Sequence, residues 1–297
     1  MSFILTTQNL TKAYHKKYAA KDINLHLKEG EIYGLIGRNG AGKTTVMRMI
    51  GGLAHPTSGD YTLHGAAKSD VGVLIENPGI YPKMTAEENL RLKCIAKGCD
   101  KKSYIDDLLR IVGLCDTEKK KAGAFSLGMR QRLGIALALV GDPKLLILDE
   151  PINGLDPQGI VEIRQTLERL KEEKGITIMI SSHILDELSK LADSYGIINE
   201  GTLVDEFAAD DLMERCGTYV RIRTDDNERA ASLLITAGYS EIIVDNGGCL
   251  RIENAVQETA AINKALVENG IGVSELMITN LSLEDYYLNV TGGIYHD

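Results

Sequence analysis

The segment Gly37-Arg38-Asn39-Gly40-Ala41-Gly42-Lys43-Thr44-Thr45 constrains this chain more than any other. It follows an apolar run, Glu31 to Ile36, that reads as a strand, and it opens a segment from Lys43 to about Ile50 that reads as a helix. Strand, Gly-rich turn and helix are the setting that the pattern G-x-x-x-x-G-K-[ST] requires. The glycines let backbone N–H groups curl around a phosphate where side chains would collide. The following helix points its positive end at the same anion. Lys43 is then expected at the β- and γ-phosphates of a bound nucleotide, Thr44 in the shell of a Mg²⁺ ion, and Thr45 at the α-phosphate.

A second signal lies downstream. Leu145 to Leu148 is an apolar run of the buried, parallel-sheet kind, and it ends in Asp149-Glu150. Carboxylates at a strand's carboxyl end sit where α/β proteins bind ligands. Asp149 suits the Mg²⁺ shell through a water, because hard cations take oxygen ligands. Glu150 is positioned to accept a proton from an attacking water or to orient it. Together these segments indicate nucleoside triphosphate chemistry and leave kinases, GTPases and ATPases open.

Around these motifs, strands alternate with helices. Short strands are expected near Leu5 to Tyr14 and from Asp22 to Leu27. Thr85 with Glu88 forms a capping box that opens a helical stretch to Val112, broken at Gly98 and resumed at Ser103. A helix starts at Ser126 with Leu133, Leu137 and Val140 on its apolar face. Then follow a helix from Gln158 to Lys174, a strand from Ile176 to Ile180, a helix from Ile184 to Leu191 and a strand from Tyr195 to Ile198. This order predicts an α/β fold on a parallel sheet for residues 1–215, with a helical subdomain at about 84–140. Residues 216–297 read as a separate α+β unit: strand Tyr219 to Arg223, helix Asn227 to Ala237, strands Glu241 to Val244 and Cys249 to Ile252, helix Ala255 to Asn269 and strand Gly272 to Ile278. That series matches a ferredoxin-like, split βαβ unit. A last helix, Ser282 to Val290, ends at Gly292-Gly293.

Composition excludes several functions. The net charge is -9. Nucleic acid is therefore not an expected partner, since phosphate backbones recruit clustered Lys and Arg. The run Lys119-Lys120-Lys121 is short and reads as a solvated face. Cys94, Cys99, Cys115, Cys216 and Cys249 include no C-x-x-C pair and are read as reduced residues of a cytosolic chain, without a metal site. The sequence shows no signal peptide and no apolar run near the roughly 18 residues of a membrane span. Any membrane role is thus expected to need a second polypeptide.

The segment Phe125-Ser126-Leu127-Gly128-Met129-Arg130-Gln131-Arg132 narrows the choice. It resembles the signature motif of the ABC transporter ATPases, usually LSGGQ followed by a basic Q-R pair. Ser126 and Gly128 keep their positions, while Leu127 replaces the first glycine of the pair and Met129 the glutamine. Asn153-Gly154-Leu155-Asp156 resembles the D-loop, and His183 after Ser181-Ser182 resembles the switch histidine. Tyr14 stands where the family keeps an aromatic to stack on adenine. The resemblance covers about residues 3 to 210.

The resemblance implies a P-loop, ABC-type nucleotide-binding domain that binds ATP and Mg²⁺ and hydrolyses the ATP. Two copies are expected to pair head to tail, each ATP lying between the phosphate loop of one and Ser126 to Met129 of the other. His183 would hold the γ-phosphate and the water from the side opposite Ser126. Permease subunits in the membrane would carry the transport path, with Thr85 to Val112 as part of their docking surface, and the chain would sit on the cytoplasmic face of the membrane. One departure stands out. In Val73-Leu74-Ile75-Glu76-Asn77-Pro78-Gly79, Glu76 occupies the place of the family's usual glutamine, which bridges Mg²⁺ and the attacking water. Glu76 can still offer an oxygen to Mg²⁺, and it adds a third negative charge beside Asp149 and Glu150. The phrase Ile75 to Pro82, the carboxyl-terminal unit and the ending Leu283-Glu284-Asp285-Tyr286-Tyr287 look like the branch that exports bacitracin or lantibiotic peptides. The competing readings are a soluble, non-transport ABC ATPase and a module that holds ATP as a switch. Only one phosphate loop and no sustained heptads argue against the first; intact Lys43, Asp149, Glu150 and His183 argue against the second.

Overall fold

A parallel sheet gathers the carboxyl ends of the chemistry-bearing strands along one edge. The computed structural model describes residues 2–117, 119–212, 218–239, 242–244, 248–253, 255–280 and 282–292. The chain divides into two compact units, Met1–Ala209 and Asp210–Asp297. The boundary expected at 215/216, and with it Cys216, Glu241 and Gly293, lies outside the described residues.

The first unit begins with β1 (Phe3–Tyr14), β2 (Lys17–Ile23) and β3 (His26–Lys28), then runs through β4 (Ile32–Ile36) into α1 (Lys43–Ile50) and back through β5 (Ser58–Leu63) and β6 (Val71–Leu74). Next come α2 (Ala86–Lys97), α3 (Lys102–Ile111) and α4 (Leu127–Leu139). The unit closes with β7 (Leu145–Asp149), α5 (Pro157–Lys174), β8 (Thr177–Ser182), the single turn α6 (Leu185–Leu188), β9 (Ser194–Asn199) and β10 (Thr202–Ala208). Six strands form one sheet in the order β10-β9-β4-β8-β7-β6. All its neighbours pair in parallel except β10, which is antiparallel to β9. Strands β2, β3 and β5 each pair antiparallel with β1 in a second sheet.

Strands β4, β7 and β8 are buried along their whole length, which is why they read as continuous apolar runs rather than alternating ones. Helix α1 lays Val46, Met47, Met49 and Ile50 into a core shared with Leu35, Leu145, Ile147 and Met179. Burying each such side chain contributes roughly 1.5–3 kcal/mol, so α1 and the loop before it are held firmly on the sheet. Helix α2 starts at the Thr85–Glu88 capping box and stops at Gly98, whose φ of 71° forms a left-handed cap.

The second unit contains β11 (Thr218–Thr224), α7 (Asn227–Thr236), β12 (Ile242–Val244), β13 (Leu250–Glu253), α8 (Thr259–Glu268), β14 (Val273–Asn280) and α9 (Leu283–Thr291). Its antiparallel sheet runs β12-β13-β11-β14, with α7 and α8 as the two crossovers. This is split βαβ connectivity. Val220, Ile222, Leu250 and Ile252 pack against Ala230, Leu234, Ile262 and Leu266.

Some elements differ from expectation. The single strand expected from Asp22 to Leu27 is interrupted, with Asp22 at a φ of 51° and pairing resumed at His26. The helix expected from Ala255 begins instead at Thr259, after a 3₁₀ turn at Val256–Glu258. That expected from Ile184 to Leu191 shortens to Leu185–Leu188. Strands β5 and β10 escape a reading by apolar pattern because most of their residues are exposed or only half-buried. Among the described residues, no helix is long and apolar enough to cross a membrane.

Candidate active site

Register explains the gathering of the site. Strand β8 lies between β4 and β7, with Ser182 beside Ile36 and Ser181 beside Asp149. The loop after β4, the acids at the end of β7 and His183 after β8 therefore leave the sheet side by side. The β4 loop is fitted closely to its neighbours. Gly42 has a φ of 112°, and a Cβ there would come 2.4 Å from the Ala19 carbonyl oxygen. Gly42 also precedes α1 without supplying a side-chain cap, so the first N–H groups of the helix stay available to an anion. Gly201 braces the loop: its N–H donates to Ala41 O at 2.9 Å, and its carbonyl accepts from Lys21 N–H at 2.7 Å. Arg38, Asn39 and Gly40 are exposed, whereas Ala41 and Lys43 are buried.

The buried Lys43 ammonium crosses this loop. It donates to Gly37 O at 2.5 Å and lies 3.2 Å from Glu150 Oε1. Thr44 donates to Asp149 Oδ2 at 2.7 Å, and Ser181 donates to Asp149 Oδ1 at 2.6 Å. The Ser181 hydroxyl also accepts from Glu150 N–H at 2.9 Å. His183 Nδ1 hydrogen-bonds Glu150 Oε2 at 2.7 Å. Oε1 of Glu150 is buried, and no hydrogen bond is aligned on it despite the nearby ammonium. Glu150 thus sits between the Lys43 ammonium and the His183 ring, with no hydrogen bond aligned on Oε1. Its φ of 50° is rare for a residue with a side chain.

Thr44 and Asp149 bring two hard oxygens together at the helix terminus. Among the described residues, no group of three or more His, Cys, Asp or Glu could cage a metal on its own. Mg²⁺ typically takes one or two protein oxygens and completes its shell with phosphate and water, so this donor set fits that ion.

Glu76 is also placed at the sheet edge, just past β6, which pairs with β7. Its carboxylate is paired: Arg48 Nη2 meets Glu76 Oε1 at 2.5 Å. Tyr14 ends β1 half-exposed, with Lys12 Nζ 5.2 Å from its ring centre.

The signature and D-loop residues form a second cluster. Ser126 caps α4 by accepting from Met129 N–H at 3.2 Å, and Leu127 is exposed. A cavity of about 410 Å³ lies between Ser126, Leu127, Gly128 and Met129 on one side and Gly154, Leu155 and Asp156 on the other, and it includes none of residues 37–45. Leu127 Cδ2 would be 3.3 Å from a Cβ on Gly154. Asp156 caps α5 by accepting from Gly159 N–H at 2.9 Å. Within one chain, then, the phosphate loop, Asp149, Glu150 and His183 meet, and the signature stands apart with the D-loop.

Three contributors were not evident from sequence. In sequence Ser181 is marked only by its neighbour His183; its two bonds require β8 to lie beside β7. Arg48 belongs to no motif of the sequence, and Gly201 belongs to the turn before the unanticipated β10.

Residues 20–153 match the family model described as ABC transporter. The chain is 44% identical to the bacitracin transport ATP-binding protein BcrA of Bacillus licheniformis over 99% of both chains. It is 46% identical to the lantibiotic transport ATP-binding protein SrtF of Streptococcus pyogenes, over 68% of this chain and 89% of that one. Among solved structures, a dimeric ATP-binding cassette in a post-hydrolysis state with ADP and phosphate matches with a TM-score of 0.61 at 27% identity, over 69% of this chain and 98% of that one. A full-length relative at this identity, a matching family model and a matching cassette fold agree with the motif geometry: the chain belongs to the ATP-binding subunits of ABC transporters and is an ATPase.

Proposed function

We propose that this chain hydrolyses Mg·ATP to drive export of a peptide antibiotic such as bacitracin or a lantibiotic through separate permease subunits. The observation that carries the chemistry is Glu150, held between Lys43 and His183 with Oε1 open as an acceptor. In that place the carboxylate orients a water and accepts its proton. Lys43 and the N-terminus of α1 bind the β- and γ-phosphates, Thr45 the α-phosphate, and Tyr14 stacks on adenine. Gly37 to Gly42 offer backbone N–H groups to the phosphate chain. Thr44, Asp149 and Glu76 would hold Mg²⁺, which when bound offsets charge on the β- and γ-phosphates. His183 orients the γ-phosphate and the water.

The separation of Ser126 to Met129 from the phosphate loop supports a two-copy site, in which the α4 N-terminus and residues 154–156 of one copy close over ATP on the other. A groove of about 430 Å³ lined by Leu53, Ile75, Pro78, Tyr81 and Leu92 suits an apolar segment of a permease. Leu53, Tyr81 and Leu92, which line this groove, are exposed and offer apolar side chains to a partner. Such docking keeps the chain on the cytoplasmic face of the membrane. The peptide-antibiotic cargo rests on the similarity to BcrA, which extends through residues 210–297 as well as the ATPase unit.

The test is co-expression with candidate permease genes in a bacitracin- and lantibiotic-sensitive bacterium. The expected result is a raised inhibitory concentration for one of these peptides, lost with Glu150→Gln. Unchanged sensitivity to every peptide tested, with ATPase activity intact, would refute the cargo assignment.

A further inference from the structure

Helix α1 is tied to the ends of two neighbouring strands by contacts one turn apart. Thr44 donates to Asp149 at the end of β7, and four residues on Arg48 meets Glu76 just past β6 at 2.5 Å. Residues i and i+4 share a helix face. Strands β6 and β7 run in parallel with Leu74 beside Leu148, so this one face of α1 spans both strand ends.

Stability does not account for the Arg48–Glu76 pair. The two side chains are 37% and 61% exposed, and ion pairs so open to water contribute little. Glu76 nevertheless has a φ of 62°, a left-handed conformation that residues with side chains keep only where their surroundings hold it. The contact engages Oε1 and leaves Oε2 as the second oxygen. An amide at this position would offer Arg48 a dipole and no charge, so the pair is specific to a chain that carries glutamate here.

We propose that Arg48 is a positioning residue that holds the Glu76 carboxylate toward the Thr44 and Asp149 oxygens. The proposal rests on the metal-binding reading of Glu76 given above. Outer-sphere partners of this kind orient a ligand and tune its affinity for the metal without touching it. A lysine would supply the charge without the planar, multi-donor grip of a guanidinium.

The experiment follows binding of a fluorescent ATP analogue to the full-length chain, first in EDTA and then across a Mg²⁺ titration. Arg48→Met is expected to bind the analogue in EDTA as the parent does, while the Mg²⁺ midpoint rises about tenfold. Glu76→Ala should raise that midpoint similarly, Arg48→Lys should fall between, and the double variant should add nothing to either single one. A parental midpoint in Arg48→Met, with Glu76→Ala shifted, overturns the positioning role and leaves the Glu76 reading standing. A parental midpoint in Glu76→Ala removes the Glu76 reading itself. Equal losses in EDTA and in Mg²⁺ mark a merely structural arginine and also overturn the proposal. If circular dichroism shows Arg48→Met unfolded, Arg48→Lys decides: a parental midpoint, or a shift fully additive with Glu76→Ala, overturns it.

Discussion

His183 Nδ1 lies 2.7 Å from Glu150 Oε2, while the carboxylate's other oxygen faces the Lys43 ammonium at 3.2 Å. The arrangement orients Glu150 and leaves no hydrogen bond aligned on its second oxygen. Glu150→Gln preserves the side-chain shape and removes the proposed base. ATP turnover is expected to fall by about 100-fold or more, with ATP binding retained. A steady-state ATPase assay beside equilibrium nucleotide binding checks this; turnover near the parental rate would exclude Glu150 as the base.

Two incomplete chains should complement each other. Lys43→Ala disables the phosphate loop, and Ser126→Arg places a cation and bulk at the α4 N-terminus. Each variant alone is expected to lack turnover. Mixed in the presence of the permease, they can assemble one site with an intact loop and an intact signature. Recovery of part of the parental activity on mixing is the expected result, read by ATPase titration. A mixture as inactive as its components would contradict a site shared between copies.

Ser181 bridges Asp149 and the backbone of Glu150. Ser181→Ala leaves a buried carboxylate oxygen and a backbone N–H without that partner, a cost of about 1–3 kcal/mol in stability. Chemical denaturation measures that loss. Because the hydroxyl holds two acids and touches no nucleotide in the proposed scheme, kcat should fall more than KM rises.

Glu31 carries a pH signature. Burial is the main influence that lifts its carboxyl above the ordinary value of 4.5, even though the side chain accepts from Lys28 N–H. The folded state therefore binds this proton more tightly than the unfolded state does. The resulting penalty is absent below 4.5, grows as pH rises through the folded value and is full above it. Glu31→Gln removes the charge and keeps an oxygen acceptor. The variant is expected to melt higher than the parent at neutral pH, with the difference closing as the pH falls toward 4.5. Melting curves across that range test it, and a difference that widens toward acid would reverse the assignment.

The local pieces were legible because local sequence encodes them. The Gly-rich loop was readable because strand, turn and helix are contiguous. The Thr85–Glu88 capping box was readable because its partners are three residues apart. The half-exposed strands β5 and β10 were not, since an edge or surface strand lacks the apolar run that marks β4, β7 and β8.

By itself, the sequence determined the local segments: a Gly-rich turn between a strand and a helix, a pair of acids at a strand end and a capped helix at Ser126. Only the tertiary structure decided which of these meet. Thr44 and Asp149 are 105 residues apart, and Ser181 and Asp149 are 32 apart. Their contacts exist because β8 lies between β4 and β7 in a parallel sheet. Strand order is a property of the whole folded core, where burial of the apolar faces is shared among all the strands. The same global packing sets Arg48 against Glu76, a pairing that no local pattern around either residue could announce.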